Sequence, residues 1–138
     1  MSMRGRFNVF DELQQEVYTI EGSFMQIPKT FTVRDSQRNE RALITKKTLS
    51  WLPTFYVEVE GRNIFTIKKE FTFFKAKYSV VGEGIEVSGN VWDMEFDIVK
   101  DGETIGRVNK EWLTWGDTYQ IQVLEEKWEM IIISLVVA

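Results

Sequence analysis

The sequence predicts a mainly β fold: an antiparallel up-and-down barrel of about eleven or twelve strands around a hydrophobic C-terminal helix. Three observations predict it. An aromatic residue is followed two positions later by Val or Ile six times, at Phe7/Val9, Phe31/Val33, Phe55/Val57, Tyr78/Val80, Phe96/Ile98 and Tyr119/Ile121. The aromatic members are 24, 24, 23, 18 and 23 residues apart, and a period of this size marks a repeated supersecondary unit. A spacing of two puts each pair on one face of a strand. Between consecutive pairs lie a polar turn and a second strand. Finally, residues 130–138 contain a single polar residue, Ser134, and break the period.

The elements follow in order. Phe7/Val9 leads through Asp11-Glu12-Leu13-Gln14 to a strand ending at Ile20, and Phe31/Val33 leads through Asp35-Ser36-Gln37-Arg38-Asn39 to one ending at Ile44. Phe55/Val57 passes through Glu60-Gly61-Arg62-Asn63 to Ile67, Tyr78/Val80 through Gly82-Glu83-Gly84 to Val87, and Phe96/Ile98 through Lys100-Asp101-Gly102-Glu103 to Val108. Gly admits positive φ, and Asn and Asp bond to nearby backbone, so these strings are turns. The residues between pair members are mostly polar (Asn8, Thr32, Ser79, Asp97, Gln120), the alternation of strands with one buried face. Eleven candidate strands joined by short links want closure, because a flat open sheet leaves edges that aggregate.

Connectors join the units. Ser50-Trp51-Leu52-Pro53-Thr54, Thr72-Phe73-Phe74-Lys75-Ala76-Lys77 and Thr114-Trp115-Gly116-Asp117-Thr118 are related strings, and Ser2-Met3-Arg4-Gly5-Arg6 resembles a fourth. The chain therefore reads as one domain over 1–138 that begins inside a connector, with a first strand missing. The gap is expected to narrow, to take up a connector, or to pair with a second copy as a homodimer through the open edge. For residues 130–138, Glu125 and Glu126 suit a helix start. Nine residues cannot span a bilayer, which needs roughly 20, but rise about 14 Å and suit the inside of a barrel. A buried strand is the competing reading, since Ile131-Ile132-Ile133 and Val136-Val137 are β-branched.

Composition narrows the function classes. The formal net charge is −4 over 138 residues, which argues against nucleic-acid binding but permits a local basic patch. There is no cysteine and no histidine. That removes thiolate nucleophiles, disulfides, thiolate metal sites and the usual acid/base at neutral pH. The N-terminal residues lack the apolar core of a signal peptide, so a cytoplasmic location is the expectation.

Several strings resemble the LURP-one-related proteins: Leu49-Ser50-Trp51-Leu52-Pro53-Thr54-Phe55, Ile67-Lys68-Lys69-Glu70-Phe71-Thr72-Phe73-Phe74-Lys75, and Lys110-Glu111-Trp112-Leu113-Thr114-Trp115-Gly116-Asp117-Thr118-Tyr119. The apolar ending fits as well. That family is similar in fold to the tubby C-terminal domain and the phospholipid scramblases. The resemblance implies twelve antiparallel strands closed around a hydrophobic helix. Tubby-like domains bind phosphoinositides and scramblases are membrane-associated, but neither ligand motif matches here residue by residue. No catalytic, cofactor or metal residue is carried over.

Lysines are the most suggestive polar feature. Lys46, Lys69 and Lys110 each stand two residues beyond an inward marker (Ile44, Ile67, Val108), so period-2 geometry gives them inward parity. Lys75 and Lys77 sit in an adjoining connector. Together they outline a basic rim suited to anionic phospholipid headgroups at a membrane surface. The plainer reading lays their stems over apolar end residues and leaves the charges in water. Trp51, Trp92, Trp112 and Trp115 are expected to cap barrel ends, an exposed subset marking a partner site. Asp93, Glu95 and Asp97 alternate along one strand, as do Glu58 and Glu60, on a solvated outer face that lacks the cleft acid/base work needs. Gly82-Glu83-Gly84 lacks the Lys-Ser/Thr of a phosphate loop, and no zinc or calcium spacing is present. The expected function is non-enzymatic binding, of anionic lipid or alternatively of a protein partner.

Overall fold

The computed structural model describes residues 6–49, 51–71, 76–90, 93–111 and 118–138. Among the described residues eleven strands form one antiparallel sheet in chain order, β1 to β11, which matches the number expected from the repeat. Among the described residues β1 pairs only with β2 and β11 only with β10, so the sheet is open in its pairing. The chain divides into two compact units, Met1–Phe65 and Thr66–Ala138.

The first unit holds β1 (Arg6–Phe10), β2 (Glu16–Gly22), β3 (Thr30–Asp35), β4 (Glu40–Lys46), β5 (Thr54–Val59) and the start of β6 (Asn63–Phe71). Its register aligns the predicted inward residues across neighbours. Phe7 faces Ile20, Ile20 faces Val33, and Val33 faces Ala42. One rung along, Phe31 faces Ile44 and Ile44 faces Val57. Phe31, Val33, Ile44, Phe55 and Val57 are buried, whereas Phe7 and Val9 on β1 are half-buried. Burial therefore follows the alternation, because a register slip of one residue would turn every one of these side chains outward.

The first two turns use one device. Asp11 Oδ1 accepts from the backbone N–H of Leu13 and Gln15, both at 2.9 Å. Asp35 Oδ1 does the same for Gln37 and Asn39, again at 2.9 Å. In each loop the residue three beyond the Asp, Gln14 or Arg38, takes positive φ. A carboxylate that ties two N–H groups holds the loop in place of a glycine. Near the third turn Arg41 pairs with Glu60, and that hydrogen bond holds the guanidinium above its ordinary pKa.

The second unit holds the rest of β6, then β7 (Ala76–Val80), β8 (Ile85–Asn90), β9 (Glu95–Lys100), β10 (Glu103–Glu111) and β11 (Thr118–Val123). A 3₁₀ turn, Glu126–Trp128, leads into α1 (Glu129–Val137). Ile67 faces Val80, Val80 faces Ile85, Val87 faces Ile98, and Val108 faces both Phe96 and Ile121. Asp101 and Gly102, both at positive φ, make the two-residue turn that matches strand twist. Gly84, φ +69°, packs against the Asp101 carboxylate where a Cβ would lie, so side chain and backbone both require glycine there.

Residues 129–137 are a helix rather than the competing strand. Met130–Leu135 and Val137 are buried, as expected of a helix apolar all round. Ser134 is its one buried polar residue, and its hydroxyl donates to the Met130 carbonyl at 2.6 Å. On the sheet side, Gly106 of β10 lets Ile132 approach: a Cβ there would stand 3.0 Å from Ile132 Cδ1. The second strands overrun their predicted ends, reaching Gly22, Lys46, Phe71, Asn90 and Glu111. The sequence marker was the last buried aliphatic residue, whereas backbone pairing continues until the connector leaves the sheet.

Candidate functional site

The overrun places the candidate lysines inside the ladder. Five equivalent positions lie two residues beyond an inward marker: Gly22, Lys46, Lys69, Gly89 and Lys110. Each stands opposite the aromatic that opens the next strand, namely Phe31, Phe55, Tyr78, Phe96 and Tyr119 respectively. The choice at this position is thus glycine or lysine. At Gly89, φ +125°, a Cβ would come within 2.9 Å of the Glu95 carbonyl oxygen and 3.1 Å of Phe96 Cα. A lysine at this position can lay its stem along the aromatic and carry its ammonium outward.

In the first unit Lys46 is exposed across from buried Phe55, and its backbone N–H donates to the Lys29 carbonyl at 2.9 Å. In the second unit Lys69 and Lys110 are half-buried. Lys69 Nζ lies 4.8 Å from the Tyr78 ring centre, within cation–π range. Lys77 is exposed and its Nζ is 3.5 Å from Glu86 Oε2. Strands β7, β8 and β9 separate Lys69 from Lys110, four strand spacings or about 19 Å along the hydrogen-bonding direction. They do not form one compact anion pocket side by side. Lys75, the remaining candidate, lies outside the described residues.

Burial raises the pKa of the Tyr78 phenol above its usual value of 10.0, because the phenolate loses hydration. Unfolded, the phenol ionises near pH 10. The folded state therefore holds the proton more tightly, and this contribution to stability is present below about pH 10 and lost as pH rises through the higher folded value. In a spectrophotometric titration, part of the phenolate absorbance of the folded protein is expected to lag behind that of the urea-unfolded chain. Tyr78→Phe should remove the lag.

A cleft of about 300 Å³ lies where the chain enters α1, lined by Lys100, Asp101, Glu103, Ile105, Glu125, Lys127 and Trp128. Lys100 Nζ donates to the Glu83 carbonyl at 2.7 Å, lies 3.3 Å from Asp101 Oδ2 and stands 5.1 Å from the Trp128 ring centre. Lys127 approaches the same ring at 5.3 Å. Cations and carboxylates are mixed here, and Lys100 ties three chain segments together, so the cleft reads as a clamp on the helix start.

Two of the candidate carboxylates make local bonds. Asp93 bonds Asn90 at 2.7 Å, and Asp97 pairs with Arg107 at 3.3 Å across β9 and β10. Among the described residues no group of three acidic side chains is arranged to hold a metal ion. No helix among them is long and apolar enough to cross a membrane.

The sequence profile of the LURP-one-related family matches residues 1–138. The chain belongs to the LURP-one-related family. An uncharacterized protein of Bacillus subtilis (strain 168), YxjI, is 32% identical over 127 residues, which cover 91% of this chain and 78% of that protein. No solved structure matches the chain.

This LURP-one-related chain exposes one feature that the lysine count missed. In the first unit the connector 23–29 exposes Phe24 (58%), Met25 (88%) and Ile27 (86%), and the connector 47–53 exposes Leu49 (104%) and Trp51 (97%). Trp51 is therefore exposed rather than packed as a cap, contrary to the expectation for the tryptophans. Trp92, Trp112 and Trp115 lie outside the described residues. The available sequence signal was the run Phe24-Met25-Gln26-Ile27-Pro28, three large apolar residues off the alternation and beside a proline. Lys29, whose Nζ sits 5.3 Å from the Phe31 ring centre and bonds the Ser23 carbonyl, was missed with them.

Proposed function

We propose that this protein is a non-enzymatic binding module of the cytoplasm that recognises anionic phospholipid headgroups through Lys46, Lys69, Lys77, Lys110 and the adjoining Lys75. The observation that carries the reading is the pairing of Lys46, Lys69 and Lys110 with Phe55, Tyr78 and Tyr119 at strand ends. A lysine laid over an aromatic keeps its charge at the water interface with a shortened reach, the arrangement suited to phosphates presented on a plane. In this reading the sheet closes around α1 as a tubby-like barrel and the lysines share one rim.

The experiment is co-sedimentation with vesicles of phosphatidylcholine containing phosphatidylserine. Binding is expected to weaken as salt rises. Replacing Lys46, Lys69 and Lys110 together by Gln should lower the partition coefficient by roughly a hundredfold, at about 1 kcal/mol per lysine. Salt-insensitive binding, or a triple variant that binds like the parent, would refute the headgroup role.

A protein partner is the second reading. It is favoured by the edge strands β1 and β11, each with one neighbour among the described strands, which leaves backbone groups available to a second copy or another chain. Concentration-dependent dimerisation without lipid binding would support it.

A further inference from the structure

We infer that the two apolar connectors of the first unit, 23–29 and 47–53, are a membrane-inserting wedge that seats in the interfacial layer of an anionic bilayer. The inference rests on the membrane reading above and adds to it the part of the surface that enters the lipid.

Three observations carry it. The connectors start from neighbouring strand ends: the Lys46 N–H donates to the Lys29 carbonyl at 2.9 Å, and Thr30 faces Thr45 where β3 and β4 leave for them. Phe24, Met25, Ile27, Leu49 and Trp51 thus rise from neighbouring loops at one end of the unit. Their backbone is also committed to that exposure. Met25 (φ 50°) and Leu49 (φ 56°) hold left-handed conformations at equivalent places one repeat apart. Such positions ordinarily fall to Gly, Asn or Asp, and a bulky residue there costs of order 1–2 kcal/mol. Gln14 and Arg38 take the same conformation in hairpin turns, but Met25 and Leu49 use it to present large apolar side chains to solvent, and that exposure points to function.

Charge then selects the occupant. Residues 23–29 and 47–53 contain no Asp or Glu, while Lys29, Lys46 and Lys47 stand at their bases. The acidic residues Asp11, Glu12, Asp35, Glu40 and Glu60 belong to the opposite, hairpin-turn end of the unit, and Glu21, near the end of β2, stands opposite Arg6 of β1. Against a second copy of the same patch, Lys29, Lys46 and Lys47 would meet lysine, with no carboxylate inside the two connectors and Glu21 of β2 beside them already facing Arg6. An anionic bilayer satisfies both features: the apolar tips reach the acyl boundary, the lysines meet headgroup phosphates, and Trp51 takes the level where tryptophan is enriched. Leu13 and Phe10 are also exposed at the first hairpin, but Asp11 and Glu12 stand between them and no lysine flanks them, so they offer no such surface.

The chain has no cysteine, so single Met25→Cys, Leu49→Cys and Gln37→Cys variants accept one environment-sensitive dye each. With phosphatidylcholine/phosphatidylserine vesicles, the dyes at 25 and 49 are expected to brighten and shift to the blue. The dye at 37, on a hairpin turn at the other end, should not change. Leu49→Ser with Trp51→Ser should lower vesicle partition by at least about tenfold with an unchanged thermal midpoint, because neither side chain is packed. Salt-sensitive binding with silent dyes at 25 and 49 and an unaffected serine variant overturns the wedge and leaves the lysine reading intact. Binding that responds to the wedge variant but not to salt or to the lysine variant keeps the wedge and removes the headgroup role. Absence of vesicle binding, with a concentration-dependent dimer lost in the serine variant, overturns the wedge in favour of a protein contact.

Discussion

Ile132→Ala is expected to destabilise the protein by about 2–5 kcal/mol, read as a lowered urea midpoint with little change in slope. Ile132 is fully buried near the middle of α1, and its Cδ1 and Cγ1 stand over Gly106 of β10. Truncation removes apolar atoms from water-free surroundings and leaves a void. The void cannot readily collapse, because the neighbouring β10 backbone is pinned by its ladders to β9 and β11. An exposed apolar residue provides the control: Leu13→Ala should fall within about 0.5 kcal/mol of the parent. A similar small effect for Ile132→Ala would mean that the helix is not seated on this sheet as described.

Gly106→Val is expected to cost about 1–3 kcal/mol or more by overpacking. Its φ is unremarkable, so the reason is space alone. Even a Cβ would stand 3.0 Å from Ile132 Cδ1, 3.3 Å from Ile132 Cγ1 and 3.2 Å from the Gln122 carbonyl oxygen. The side chain can yield, but the carbonyl belongs to the β11 ladder and cannot. Gly106→Ala should therefore be milder, and Ile132→Val should relieve part of it, because that change deletes the methyl in the way. In a double-mutant cycle the pair is expected to be less destabilised than the sum of the single variants. Strict additivity would show that the crowding lies elsewhere.

Much of this architecture is legible in the residues. The pairs Phe31/Val33, Phe55/Val57 and Phe96/Ile98 are buried as the alternation requires, since a period of two has only one way to face a core. The helix at 129–137 was less secure from sequence, because its β-branched residues suit a strand and only burial on every side decides for helix. Strand ends were misjudged because pairing continues past the last aliphatic residue, and that overrun brings each lysine opposite an aromatic. Lys46, Lys69 and Lys110 stand out as candidates through parity. Lys29 and the apolar tips do not, because a connector has no period to violate: whether Trp51 packs or projects depends on the turn beneath it. Met25 and Leu49 show this most clearly, as their left-handed φ is a property of loops that no composition announces.

The strand order also bears on how the molecule is made. Each observed ladder joins strands that are consecutive in the chain, so pairing can proceed as a zipper, one short loop closure at a time, with little of the entropy that long-range sheet contacts demand. The helix breaks this economy in a telling place. It follows every strand in the chain, so β10 and β11 leave the ribosome before the segment that covers Gly106. For that interval the inner face of these strands is bare and open to wrong partners. The hydrophobic helix thus serves as a latch on the second unit, the segment that commits β10 to one packing.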